Sequence, residues 1–439
     1  MSAEITIGEG NGTSLIPHPL RAAVLGEVHA RPFTAIETPR RVLHFAFDTS
    51  ADRGEADRAA LIDFCTRRGL AAPERGEKHH RVTFGGTALR WEQHSEFTTY
   101  TWELPSEAPS PGAVPFHPPA SALATVMKIV PQPGPALVAI DLHLVSADGV
   151  APERLFDRAS LAVAENSDGT ALYATDFQPD PAGFVRILVV DRGLGAERAG
   201  ALVQRLLELE TYRTLALLGL PEAQRLAPSV QRIETRLADV TEQMRGSQGL
   251  AANHHLLDEL TALAAELEAG AAASLFRFGA SRAYNEIVYL RLETIGERKV
   301  GGLPTWSSFL ARRMAPAMRT CITMTERQGN LSRKLARAAQ LLRTRVDIEL
   351  EQQNRDLLRS MNERTRMQLR LQATVEGLSV AAISYYVVGL IGYVAKGAHD
   401  AGAPLEPTYV SAIAVPLVVV AIWYVVRRIR RRHVGRSID

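Results

Sequence analysis

Apolar positions along the 439-residue chain follow three successive rhythms. As far as Val190 they gather in short runs rich in β-branched and aromatic side chains: Arg41–Asp48, Arg81–Phe84, Phe97–Leu104, Leu137–Val145 and Gly183–Val190. Such runs suit a pleated, half-buried surface and predict strands. Between them, Arg58–Arg68 has helical character and Pro105–Pro119 is a Pro-rich loop. Residues 1–195 are therefore expected to form a sheet domain of α+β or α/β type, with the kind of strand pairing left open.

From residue 196 the period becomes helical. Residues 196–220 predict a helix ended by Gly219 and Pro221. A heptad seam follows at Leu226, Val230, Ile233, Leu237, Val240 and Met244. After Gly246 and Gly249 it resumes at Leu256, Leu260, Leu263 and Leu267. Alternating steps of three and four place these side chains on one narrow stripe, which predicts a coiled-coil helical hairpin within 196–304. Two ordinary amphipathic helices of the body are the alternative. Leu331–Glu376 then runs without Gly or Pro, enough for about 69 Å of helix. Its stripe is Leu335, Leu342, Val346, Leu357, Met361, Leu371 and Val375, interrupted by Gln353 and Arg364. A helix this long needs partners along that stripe. Self-association of a stalk over 305–376 would supply them, and packing on the body is the alternative.

The third rhythm is continuous. Gly377–Ala395 and Pro407–Val426 each run from end to end without a charge. Each suits a hydrocarbon core about 30 Å thick, so 377–426 is expected to be a two-helix transmembrane hairpin (377–395 and 407–426). Buried core helices are the other reading of such runs. Tyr385, Tyr386, Tyr393, Tyr409, Trp423 and Tyr424 lie within the spans, several near their ends, as interfacial anchors do.

Charge changes the picture. The chain has 50 Lys+Arg against 48 Asp+Glu, a net of +2, which by itself argues against a basic nucleic-acid binder. The total hides segregation: residues 305–376 carry +7, 377–426 carry −1, the tail 427–439 carries +5, and 1–304 carry −9. Arg359, Arg364, Arg366 and Arg370 precede the first span. Arg427, Arg428, Arg430, Arg431, Arg432 and Arg436 follow the second, while the connector Lys396–Glu406 has one Lys. Positive-inside bias puts both flanks and both termini in the cytoplasm and the connector outside. Arg427, Arg428, Arg430, Arg431 and Arg432 are then expected to contact anionic lipid and fix topology, a role that fits better than nucleic-acid binding. The start, MSAEITIGEGNGT, has neither a basic beginning nor an apolar run, so no signal peptide is expected. On the reducing side Cys65 and Cys321 are expected to be free thiols.

Motifs for chemistry are sparse. Gly193-Leu-Gly195-Ala-Glu-Arg-Ala-Gly200 follows a strand and opens a helix, but its spacing is too long for a dinucleotide loop. A tight turn and a helix start account for its glycines. Glu27 and His29 in EVHARP could share a face but lack a third ligand, and a hydrogen-bonded turn explains them better. The pairs His79-His80 and His254-His255 point their side chains apart. There is no Walker loop and no nucleophile signature such as G-x-S-x-G. The expectation is no enzyme, no catalytic residue and no cofactor; a divalent cation held by acidic side chains of the body is the one ligand considered.

Several stretches resemble a known family. HPLRAAVLGEVHARPF (18–33), LLELETYRTLALLGLP (206–221), RRMAPAMRTC (312–321) and QNRDLLRSMNERTRMQLRLQATVEGLSVAAISYYVVGL (353–390) are similar to a bacterial family called domain of unknown function 3422. That resemblance covers essentially the whole chain and implies a membrane-anchored protein without an assigned activity. The order of parts also resembles CorA-type magnesium channels: sheet domain, helical hairpin, stalk, span, short loop, span, basic tail. That likeness implies a homo-oligomer of five copies with the first span lining a pore. Where those channels carry Gly-Met-Asn, this chain reads Gly392-Tyr393-Val394-Ala395-Lys396-Gly397, a departure that counts against magnesium selectivity. Ser384, Gly389, Gly392 and Tyr393 are the expected pore or helix-contact positions, since small residues let helices approach closely.

Two functions remain open, with an enzyme in the sheet domain a distant third. One is an oligomeric inner-membrane protein that passes ions under a cytoplasmic sensor domain. The other is an anchored scaffold or signalling protein, without transport, that binds partners through its helical hairpin.

Overall fold

The computed structural model describes residues 17–21, 24–25, 33–50, 53–105, 115–116, 127–128, 131–146, 150–402, 404 and 406–434. Their contacts divide the chain into two units, 1–239 with 261–336, and 240–260 with 337–439.

The first unit is built on one mixed sheet. Its strands are β1 (Arg40–Asp48), β2 (His79–Phe84), β3 (Thr87–Gln93), β4 (Phe97–Pro105), β5 (Ala136–Ser146), β6 (Ala162–Glu165), β7 (Ala171–Thr175), β8 (Val185–Asp191) and β9 (Arg298–Lys299). Their spatial order is β2-β3-β4-β1-β5-β8-β7-β6-β9. The β5–β8 pair is parallel and the other pairs are antiparallel. The five expected strands are all present, with ends close to those expected. The other four carry a weaker signal. β3 is joined to β2 by Gly85-Gly86, both at positive φ (55° and 76°), the two-residue turn that matches strand twist. β6 and β7 are short and Ala-rich, so burial rather than β propensity makes them strands.

Both faces of the sheet are covered, as its alternation requires. On one face Val42, Ala46, Ile140, Leu142, Ile187 and Val189 pack beneath Leu202, Leu206, Leu209 and Leu215 of α2 (Ala196–Leu217). On the other, Leu43, Phe45, Trp91, Tyr100 and Trp102 meet Leu61, Phe64 and Cys65 of α1 (Arg53–Arg67). Asp57 of α1 locks that face: its carboxylate accepts from Tyr100 Oη at 2.5 Å and Trp91 Nε1 at 2.9 Å. Burial pushes the Asp57 carboxyl above the usual range, against the pull of those donors.

Three helices extend the unit: α3 (Gly219–Gly246), α4 (Leu250–Ile295) and α5 (Trp306–Asp400). The seam residues Leu226, Val230, Ile233 and Leu237 of α3 are buried, as is Leu267 of α4. A third helix shares that seam, because Met324, Leu331 and Leu335 of α5 are buried too. Polar links join the three helices: Arg327 to Glu234, Ser332 to Glu268, and Arg232 to Glu266. α4 runs well past Gly270 and stops at Gly296, whose positive φ (65°) ends it and whose amide donates back to the Leu292 carbonyl. α5 starts at Trp306, long before Leu331, and has Pro316 inside it. Its first turn is anchored by Glu297, which accepts from the Ser307 amide at 2.8 Å and from Tyr173 Oη at 3.2 Å. Trp306 is fully buried, edge-on to Tyr173 and Phe177.

The second unit holds the tips of α3 and α4, the rest of α5, and α6 (Pro407–Val434). Val240 and Met244 of α3, Leu256 and Leu260 of α4, and Leu342 and Val346 of α5 are buried. Buried Asn253 donates to Glu349 at 2.8 Å, and Arg345 donates to the Met244 carbonyl. Beyond Val346 the stripe of α5 emerges: Leu357, Met361, Leu371 and Val375 are all exposed.

Gly200 shows where the packing admits no side chain. A Cβ there would lie 1.7 Å from the Thr34 carbonyl oxygen, whereas at Gly279, also helical, it would meet open space. Gly200→Ala is expected to lower stability by about 1–3 kcal/mol or more, and Gly279→Ala to leave it unchanged or raise it slightly. Thermal melts of the detergent-solubilised protein check this; equal melting temperatures for the two variants would contradict the close approach.

Candidate functional site

The C-terminal hairpin is the most distinctive surface of the chain. α5 and α6 each contain a segment long and apolar enough to cross a membrane. The two helices meet along faces of small and β-branched residues. Val380, Ser384, Val387, Val388, Gly392 and Ala395 are at least partly covered along α5, as are Val410, Ser411, Ala414, Val418 and Ile422 along α6. Steps of three and four put each set on one face. At Gly392 a Cβ would approach Ser411 Oγ to 3.3 Å, so a side chain there would press on the facing helix. The remaining faces are apolar and uncovered: Tyr385, Leu390, Tyr393, Val394, Ile413, Leu417, Val420 and Tyr424.

The four expected pore or contact positions separate on this geometry. Ser384 and Gly392 lie on the shared face, while Gly389 and Tyr393 face outward, Tyr393 being 78% exposed. The Ser384 hydroxyl donates to its own helix at the Val380 carbonyl, 2.6 Å away, and Ser379 does the same to Val375. These hydroxyls satisfy themselves inside an apolar segment. At the far end of α6, the Arg427 guanidinium lies 4.8 Å over the Trp423 ring, and Arg428 is exposed. Arg430, Arg431 and Arg432 continue the α6 backbone, with side chains outside the described set, and Arg436 lies beyond the described residues.

Other expected candidates resolve into structure. Gly193 and Gly195 have φ of 110° and 77°, and the Asp191 carboxylate accepts from the Gly193 and Leu194 amides and from Thr38 Oγ1. Those donors hold the Asp191 carboxyl below its ordinary range although partial burial opposes them. With the Thr34 backbone against Gly200, the turn and helix start account for all three glycines. His80 bonds to the Ala71 carbonyl at 2.8 Å, and His254 and His255 are exposed. Cys65 and Cys321 are free and buried. Among the described residues no group of three or more His, Cys, Asp or Glu could hold a metal ion. Glu27 and His29 lie outside the described residues.

The sheet domain also buries polar groups that no local motif announces. His44 of β1 sits between Thr101 Oγ1 at 2.8 Å and Thr211 Oγ1 at 3.1 Å. Burial, helped by Arg90 and His94, lowers its pKa from 6.5 to about 3. His44 is thus neutral in the folded protein, and protonation favours the unfolded chain. Its contribution to stability is complete above pH 6.5 and is lost as pH falls toward about 3, at up to about 1.4 kcal/mol per pH unit. His44→Gln removes this component, so urea midpoints between pH 6.5 and about 4 should fall less steeply than in the wild type. Parallel pH profiles would refute it.

No curated protein matches the sequence. A family profile matches residues 16–433, nearly the whole described structure from the sheet to the end of α6. The chain belongs to the family described as "Protein of unknown function (DUF3422)".

Proposed function

We propose that the chain is an oligomeric, membrane-anchored protein of a bacterial inner membrane, with the α5–α6 hairpin in the bilayer and the body and both termini on the cytoplasmic side. The observation that carries this reading is the apolar stripe of α5. It is buried at Leu335, Leu342 and Val346, uncovered at Leu357, Met361, Leu371 and Val375, and followed in the same helix by an uncharged span. A second copy about a common axis covers such a stripe, and lipid covers the outward faces of the hairpin. The Arg residues flanking both spans support the orientation, and those after α6 suit contact with anionic lipid.

Within this reading the order of parts favours a CorA-like ring of five copies that passes ions along the first span under a cytoplasmic sensor domain. The alternative is an anchored scaffold that binds partners through α3 and α4, favoured by the excess of acidic over basic residues in 221–270. Lys396 at the outer end of the first span places a cation where cations would enter a ring.

One experiment weighs these readings. The detergent-solubilised chain is sized by native mass spectrometry, then reconstituted in liposomes carrying a dye for divalent or monovalent cations. An oligomer is expected, and a monomer would overturn self-association. Flux through a verified five-fold oligomer would establish the channel form, and a tight oligomer without flux leaves the scaffold.

A further inference from the structure

The hairpin geometry brings the basic flanks of its two helices to one level. α5 and α6 face each other at Gly392 and Ser411, and both helices run from there to an Arg-rich flank. At 1.5 Å per residue, Arg370 lies about 33 Å along α5, and Arg428 and Arg432 lie about 26 and 32 Å along α6. The facing pair sits near the outer end of the first span, and a hydrocarbon core is about 30 Å thick. Both flanks therefore leave the apolar layer together, at the headgroups of one leaflet. Just inside that level, about 21 Å from the facing pair, Leu378 and Val425 are exposed.

The chain leaves this charge without a carboxylate partner. Arg364, Arg366, Arg370 and Arg428 are exposed, and among the described residues none of them forms an ion pair. Glu363 is taken by Arg359. Between Arg364 and Ala395 the one acidic residue is Glu376, which accepts from Gln372 at 3.2 Å, and residues 407–434 have none. Helix phase also separates two of these arginines from the apolar stripe. At about 100° per residue, Arg366 and Arg370 lie roughly 140–180° around α5 from Leu357, Met361 and Val375. A second copy seated on that stripe leaves both of them outside the contact.

We propose that these flanks form one binding site for an anionic lipid that carries two phosphates in a single headgroup. Arg366 and Arg370, one turn apart on α5, hold one phosphate; Arg428 and Arg432, one turn apart on α6, hold the other. The acyl chains lie along Leu378 and Val425. Guanidinium forks match phosphate oxygens, and basic surfaces between spans at the cytoplasmic face suit such headgroups. Once one phosphate is bound, the tethered second one binds intramolecularly, which favours such a lipid over two separate monophosphate lipids. The inference rests on the anchoring and orientation proposed above.

Native mass spectrometry of the full-length protein in detergent tests it. The probes are cardiolipin, phosphatidylglycerol and phosphatidylcholine with matched acyl chains, and a short oligodeoxythymidine as a soluble polyanion. Cardiolipin is expected to bind at least about tenfold more tightly than phosphatidylglycerol. The double variant Arg366→Gln with Arg370→Gln should weaken cardiolipin binding about tenfold or more, as should Arg428→Gln with Arg432→Gln. Arg355→Gln with Arg359→Gln removes the same charge from α5 roughly 15–20 Å farther from the bilayer and should change it less than about threefold. Equal affinity for cardiolipin and phosphatidylglycerol overturns the inference. So does binding indifferent to both flank variants, an equal loss in the Arg355 and Arg359 variant, or oligonucleotide binding as tight as that of cardiolipin. Alkaline carbonate extraction separates the two readings: a chain that stays in the membrane without preferring cardiolipin contradicts the two-phosphate site alone, whereas release of the chain contradicts the anchor and the site together.

Discussion

The constraint on which the rest depends is that the outward faces of residues 377–395 and 407–426 carry no charge and offer water little beyond tyrosine hydroxyls. Two uncharged helical segments sit together through Ser384, Gly392 and Ser411 and turn Leu390, Val394, Leu417 and Val420 outward. Backbone polar groups are satisfied within each helix, and the serine hydroxyls of the first segment bond to their own carbonyls. An apolar solvent can accept that surface where water does so at high cost. The charge of the chain follows the same constraint: Arg clusters next to both segments, and almost none in the connector.

α5 links this surface to the rest of the fold by covalent continuity. Its first turn is part of the sheet core through Trp306, Phe309 and Leu310, with Glu297 on its leading amides. Its middle completes the seam with α3 and α4, and its C-terminal part is the first apolar segment. The stretch from Leu350 to Val375 has no buried residue of its own. Its i,i+4 ion pairs, Glu351–Arg355 and Arg359–Glu363, are exposed and add only a few tenths of a kcal/mol each. The proposed oligomer would cover such a stretch, which ties it to the proposed anchor.

Much of this was legible in the residue pattern, and the omissions have physical reasons. β1, β4 and β5 announce themselves because their alternation is strong and both faces are buried; β6 and β7 do not, because alanines carry little β preference and are held by Leu188, Val190 and their neighbours. α5 starts at Trp306, one residue from the expected start of the stalk at 305, and packing of Met314, Met318 and Cys321 keeps it intact through Pro316 and Gly329, although only Leu331–Glu376 is free of Gly and Pro. α4 likewise continues through Gly270 and Gly279 to Ile295, beyond Leu267, the last position of its apolar seam. Candidate positions in the hairpin were visible by residue type, but only the helix phase separates Ser384 and Gly392 from Gly389 and Tyr393. The buried Glu96 cluster left no local trace. Glu96 meets Arg277 and Tyr284 from the far side of the sequence, and only the fold brings them together.

The central claim is that the hairpin crosses a bilayer with both flanks on the cytoplasmic side. Impermeant maleimide labelling of single cysteines in intact cells measures this directly, since Cys65 and Cys321 are buried. With Gly402→Cys in the connector and Ser437→Cys in the tail, the account predicts labelling from outside at the connector alone, and at the tail only after the cells are opened. Labelling of the tail in intact cells, or release of the whole chain from membranes by alkaline carbonate, would contradict it.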